Sequence, residues 1–310
     1  MAEIRLITYH SLDLGQPRRL SRHAISETAY RRHIELIRNR HRLVDAEELA
    51  GLQTADDLRH LASTSSRDVY ILTFDDGYIE HPRAAEILAE AGGAGIFFVT
   101  SETPRGRILL ANKLHLLDLH TGGLGSAVQA IERAAGESWR ERLIEAGRKL
   151  LERAGKASFD SPIDQVLKVA LQELGAEGPL ACAIDLAVTA VVPDIAAIKL
   201  YADDAGLQQI ISCGSLIGGH GRTHRRLPLL DAAVQLEEIA ASIAFLRRFH
   251  PYGPKHFAHP YGTYNAASVA ALEAAGFEFL HTIENGSVGS SGVNPHRLPR
   301  LDVNCLDALL

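Results

Sequence analysis

The sequence predicts an α/β chain: a distorted (β/α) barrel of mainly parallel strands, with a helical insertion over residues 102–200. Three observations lead there. Short apolar, β-rich runs alternate with stretches of helical spacing, the pattern of βα units feeding a parallel sheet. From about 102 to 200 the alternation stops; the segment is rich in Ala, Leu, Glu and Arg, with no strand-like run. The βα rhythm then resumes, and polar segments stand at strand ends on both sides of the break. A chain of 310 residues has room for one large barrel or two ordinary domains. Because the segments from both halves are needed for one site, a single barrel over 1–310 is expected.

The elements follow in order. "IRLITY" (4–9) is the first strand and runs into His10; "SETAYRRHIELIRNR" (26–40) has helical spacing. "DVYILTF" (68–74) is a buried strand that ends on Asp75-Asp76-Gly77, and "PRAAEILAEAG" (82–92) is the helix after it. Gly51, Gly92 and Gly276 fall where helices would stop. "GIFFVT" (95–100) precedes the insertion. After it, "SLIGG" (215–219) leads into "HGRTH", and "KHFAH" (255–259) into "PYG". Helical spacing over 231–249 and 265–276 separates these from "FEFLHT" (277–282) and "RLDVN" (300–304). In parallel α/β proteins the working residues gather where strands end and loops begin.

Composition narrows the function. With 46% hydrophobic and 23% charged residues the chain has material for a sizeable core. A net charge of −6 without a dense Lys/Arg stripe argues against general nucleic-acid binding. Cys182, Cys213 and Cys305 are odd in number and lack C-x-x-C spacing, so neither a disulfide framework nor a cysteine zinc site is suggested. The start "MAEIRLITYH" shows no signal-peptide pattern and no apolar run reaches transmembrane length, which makes a cytoplasmic location the expectation.

The chemistry begins with the two adjacent carboxylates. Asp75 and Asp76 repel each other, and each resists leaving water unless a cation or donor compensates it. An ordinary turn would also explain Asp-Gly here. His220 and His224, four apart, come onto one side of a helical turn or tight loop and so reach a single ion; surface histidines, in a chain with 15 of them, are the other reading. One Asp and two His form a facial set that leaves positions open for water and substrate, as a hydrolytic Zn²⁺ or other divalent site requires. The second aspartate then stands close enough to take a proton from bound water.

With these residues on view, the chain resembles the NodB-homology polysaccharide deacetylases. "TFDDG" (73–77) matches the first motif of that family letter for letter. The second, His-[Ser/Thr]-x-x-His, stands as His220-Gly-Arg-Thr-His224, with the hydroxyl residue beside the second histidine. The third, Arg-x-Pro-Tyr/Phe, stands as Ala258-His-Pro-Tyr261 and lacks its arginine. The resemblance covers roughly 68–100 and 205–282, more weakly the first 50 residues.

The resemblance implies Asp76, His220 and His224 as ligands of a divalent metal, most simply Zn²⁺, and Asp75 as general base. It implies that the backbone N–H of Tyr261 helps hold an oxyanion. Where the family uses an arginine to orient the base, Arg300 in "LPRLDV" is a substitute, or else a surface charge. The late Leu-x-His motif of the general acid is not evident. His10 in "LITYHSL" is similar to the histidine of the permuted poly-N-acetylglucosamine deacetylases and takes that role, with a structural His10 as the alternative and His281 as another strand-end candidate. His259 reads as pocket wall. The implied activity is removal of N-acetyl groups from an N-acetylated sugar or polysaccharide. A related amidohydrolase on a non-sugar amide, or a silent carbohydrate-binding barrel, are the competing readings.

Overall fold

A computed structural model describes residues 2–15, 24–154, 162–250, 255–289 and 292–308. The chain divides into two compact units. One comprises residues 1–17, 24–106 and 201–310; the other comprises 18–23 and 107–200.

The first unit is built on a curled, mainly parallel sheet. Its strands are β1 (Glu3–Tyr9), β4 (Arg42–Leu43), β5 (Val69–Phe74), β6 (Gly95–Val99), β7 (Leu216–Gly219), β8 (His256–Ala258), β9 (Phe279–His281), β10 (Val288–Gly289) and β11 (Leu301–Asp302). The order is β10-β1-β5-β6-β7-β8-β9, with β11 parallel to β1 and β4 parallel to β5. Among the described strands of this sheet the β1–β10 pair alone is antiparallel. Leu298 bridges to His281 and Leu301 pairs with Ile7, so the stretch between them links the β9 edge to β1. This is the distorted (β/α) barrel the sequence predicts. A two-residue pair, β2 (Leu12–Asp13) with β3 (Ile25–Ser26), stands apart from it.

The strand residues alternate between two apolar layers, as a period of two requires. Ile7, Tyr9, Tyr70, Leu72, Phe74, Phe97 and Val99 join one cluster. Its helical side comes from α1 (Glu27–Arg40), α4 (His81–Glu90), α10 (Asp204–Ser212), α11 (Ala232–Leu246) and α12 (Ala266–Ala274). Ile4, Leu6, Val69, Ile71, Ile96 and Phe98 join the other, with Leu49 of α2 (Ala46–Gly51) and Leu58 and Leu61 of α3 (Ala55–Thr64). Every residue of β5 is buried, which is why it reads as a continuous apolar run. Phe74 stacks between Tyr9 and Phe97, with centroids 5.2 and 4.3 Å away. Truncating such a ring costs about 3–5 kcal/mol and would loosen the strand end that carries Asp75.

Local chemistry sets the helix boundaries. Asp45, Thr54 and Asn265 each close a capping box at the start of α2, α3 and α12. Gly92 and Gly276, both at positive φ, follow α4 and α12. Gly51 is the last residue of α2, where that helix stops.

The second unit is helical among its described residues: α5 (Leu110–Thr121), α6 (Leu124–Ala135), α7 (Arg140–Ala154), α8 (Pro162–Leu174) and α9 (Gly178–Val191). Leu117, Val128, Ile131, Leu143, Leu171 and Ile184 form its own core. Residues 103–105, a short 3-10 turn, belong to the first unit.

Candidate metal centre

Three strand ends meet at one group of side chains. The parallel register sets Tyr9 beside Phe74 and Val99 beside Gly219, so the residues that follow, His10, Asp75 and His220, emerge on the same end of the sheet. Asp76, His220 and His224 are buried and offer ligand atoms lying within 4.8 Å of one another. Asp76 Oδ1 is 3.5 Å from His220 Nε2 and 3.2 Å from His224 Nε2.

The hydrogen bonding fits a cation. His220 Nδ1–H donates to the Ala258 carbonyl at 2.8 Å, which leaves Nε2 as the lone-pair nitrogen. That nitrogen faces Asp76 Oδ1, which among the described residues makes no hydrogen bond within normal geometry. A cation bound between these buried atoms, or a proton on the imidazole, would compensate the carboxylate. The donor set, one carboxylate and two imidazoles, suits zinc and related divalent ions.

Backbone strain marks the same residues. Among the described residues only Asp76, His224 and Tyr261 combine a side chain with positive φ, at 77°, 62° and 57°. Such conformations cost on the order of 1–3 kcal/mol and gather at functional sites. Gly77 follows Asp76 at φ 70°, and a Cβ there would meet Val99 Cγ1 at 3.2 Å; glycine lets the turn reverse without that crowding.

Asp75 has a different environment. Arg300 is buried, 1% exposed, and grips Asp75 with both terminal nitrogens at 2.7 and 2.8 Å. Arg300 also donates to Thr73 Oγ1 and to the Thr282 carbonyl. It is therefore no surface charge; it stands on Asp75, where the third motif offers only Ala258. Phe98 lies against its guanidinium, 5.2 Å from the ring centre. Burial would raise the Asp75 carboxyl, but Arg300 and then His220 outweigh it and hold it below the usual carboxylate range. Burial would likewise raise Asp76, and His224 and His220 draw it well below its ordinary value. Burial leaves His224 below the ordinary imidazole range despite Asp76, while at His220 the two aspartates outweigh burial and hold it above.

His10 Nε2 stands 3.9 Å from Asp75 Oδ2, with half of its side chain exposed. Tyr261 sits in a 3-10 turn after β8, its ring 4.5 Å from that of His224 and covered by the Arg226 guanidinium at 3.7 Å. His281 lies elsewhere: it is fully buried, bonded to His256 at 3.1 Å and packed on Phe98. Burial, then His256 and Arg300, holds it well below the ordinary imidazole range, which favours the neutral ring. His259 is also fully buried, stacks on Tyr264, and is pushed down to about 3 by burial.

Sequence reasoning missed three residues around the site. Glu238 accepts from the Arg222 and Thr223 amides at 2.8 and 2.9 Å and from the Thr223 hydroxyl, fixing the loop between the two histidines. Its signal was present: Gln235, Glu238, Ser242 and Phe245 lie on the buried face of α11, where an acid is unusual. Glu80 and His81 follow "DDGYI" and are buried against the loop after β1.

A sequence model of the polysaccharide deacetylase family matches residues 194–280, which include His220, His224 and Tyr261 but neither aspartate. No curated protein matches the chain. Solved structures do. The Streptococcus pyogenes deacetylase PplD, determined with acetate, superposes with a TM-score of 0.55 at 13% identity, over 97% of this chain and 92% of that one. IcaB from Ammonifex degensii gives 0.56 at 14% identity, covering 100% and 96%. A de-N-acetylase from Aggregatibacter actinomycetemcomitans gives 0.55 at 12%, covering 96% and 94%. The resemblance read from three short motifs thus recurs in an independent sequence match and in the fold. Residues 194–280 carry the polysaccharide deacetylase pattern, and the chain has the (β/α)-barrel fold of solved deacetylases.

Proposed function

We propose that the protein is a metal-dependent amidohydrolase that removes N-acetyl groups from an N-acetylated sugar or polysaccharide. The observation that carries this reading is the contrast between neighbouring carboxylates: Asp76 shares a buried acceptor cluster with two imidazoles, and Asp75 is held ionised by Arg300. Asp76, His220 and His224 would hold a divalent ion, Zn²⁺ being the simplest choice. Such an ion, when bound, acidifies water and polarises the carbonyl.

The chain's own residues divide the remaining work. Asp75, ionised at neutral pH, accepts a proton from the attacking water. Its bidentate bond to Arg300 keeps the carboxylate from rotating away. The Tyr261 N–H donates toward the oxygen that becomes negative in the tetrahedral state. His10 gives a proton to the departing nitrogen, because an amine leaves poorly as an anion. Acetate and a free amine result.

The test is acetate release from a panel of N-acetylated sugars, run on protein whose metal content is measured in parallel. Acetate formation that follows metal content supports the reading. A metal-loaded protein that binds these sugars and releases no acetate would make it a silent carbohydrate-binding barrel. Release from simple amides alone would make it an amidohydrolase of another substrate class.

A further inference from the structure

His10 is the most exposed member of the proposed machinery, and its imidazole stands 3.9 Å from Asp75. Its backbone is another matter. The turn His10-Ser11-Leu12 is held at three successive residues by the pair that opens α4. His81 Nε2–H donates to the His10 carbonyl at 3.0 Å. Glu80 Oε1 accepts from the Ser11 hydroxyl at 3.2 Å and from the Leu12 N–H at 3.0 Å. The strand side is fixed as well, since the Asp75 N–H donates to the Tyr9 carbonyl at 2.9 Å.

Both anchors are costly to keep. Glu80 is 4% exposed and its Oε2 has no hydrogen-bond partner among the described residues. Burial raises its carboxyl to about 7 against the opposing bonds from Leu12 and Ser11. His81 is fully buried among Phe74, Tyr78 and Phe97, and burial pushes it down to about 4, so it stays neutral and presents one N–H, the one given to His10. Placing an acid and an imidazole out of water to hold a three-residue turn is expensive if only the fold needs that turn. The expense is explained if the turn sets the aim of His10.

We infer that Glu80 and His81 are positioning residues which, through the backbone of His10-Ser11-Leu12, aim the His10 imidazole at the departing nitrogen; this rests on reading His10 as the proton donor. A misplacement of about 1 Å at a reacting group is worth on the order of 10²-fold in rate. The loss should fall on kcat for substrates that need a protonated leaving group, with little change in KM.

The experiment compares metal-loaded His10→Ala, Glu80→Ala, Glu80→Gln and His81→Phe on an N-acetylated sugar and on an activated aryl acetate. His81→Phe keeps a buried aromatic ring and deletes only the donor, so it serves if Glu80→Ala does not fold. Glu80→Ala and His81→Phe should each lower kcat on the acetamide by roughly 10-fold to 10²-fold, with the ester rate and metal content little changed. Glu80→Gln, which keeps the acceptor for Leu12, should recover most of that loss. A His10→Ala/His81→Phe double variant should be no slower than His10→Ala alone. Equal losses on both substrates, or losses that multiply with that of His10→Ala, would reduce Glu80 and His81 to structural residues and overturn the inference. If His10→Ala itself slows both substrates equally, the reading of His10 falls, and the inference with it; amide-selective loss in His10→Ala without it in His81→Phe sinks the inference alone.

Discussion

Asp75 and Asp76 are one peptide bond apart and equally buried, yet they face opposite surroundings. Asp75 points to a guanidinium that fills both its oxygens; Asp76 turns, at positive φ, toward the Nε2 atoms of two imidazoles. Repulsion between adjacent carboxylates is relieved differently on each side. One receives a permanent cation from the chain, and the other lies in a group of ligand atoms that could hold one. On the proposed function this difference divides the work, proton transfer at Asp75 and metal binding at Asp76.

The contrast breaks most completely by removing an imidazole. His220→Ala or His224→Ala should strip most bound metal and lower acetate release by roughly 10²–10⁴, the several kcal/mol a metal ion contributes to an acyl-transfer transition state. Metal analysis beside turnover checks it; full metal occupancy in either variant would remove that histidine from the ligand set.

Arg300→Ala breaks the other side. An unpaired buried carboxylate remains, at a cost of about 3–5 kcal/mol in stability by denaturant unfolding. The sign of the pH effect follows. The Asp75 carboxyl is depressed in the folded protein, so its stabilisation is present above the unfolded carboxylate range and is lost as pH falls through the lower, folded value. Without Arg300 burial dominates, the carboxyl rises, and the acid limb of the activity profile should move to higher pH. An unmoved acid limb would mean that another group titrates there.

The two sides of the pair were unequally legible in sequence. "TFDDG" and His220-x-x-x-His224 placed the cluster because Asp75-Asp76 and His220 stand at the ends of β5 and β7, and parallel strands bring their ends together. Arg300 was ambiguous because a lone arginine near a late strand has no local signature; only the short β11, pairing with β1, shows that it returns beside Asp75. Glu80, His81 and Glu238 act through backbone amides and carbonyls, which leave no pattern of their own in side-chain spacing. The strands over 4–9, 68–74 and 95–99 were readable as apolar runs, whereas β10, two residues long and antiparallel, was not. β11 is likewise only two residues, followed by a 3-10 turn over Val303–Ala308.

Two further perturbations sharpen the comparison. His10→Ala should lower kcat on an acetamide by about 10²–10⁴ and on an activated ester by much less, with metal content unchanged. Loss of metal in that variant would move His10 from the Asp75 side to the Asp76 side. Glu238→Ala should act only on the acceptor side: the loop carrying Arg222 and Thr223 loses its anchor, and metal affinity should fall roughly 10–100-fold in a chelator competition. Unchanged affinity would show that the loop holds its shape without Glu238.

The central claim is that neighbouring aspartates divide metal binding from proton transfer, and the most direct measurement is metal stoichiometry and turnover in Asp75→Asn and Asp76→Asn side by side. The account predicts that Asp75→Asn keeps its metal while turnover falls by about 10²–10⁴, and that Asp76→Asn loses both. Metal loss in Asp75→Asn as complete as in Asp76→Asn would contradict it.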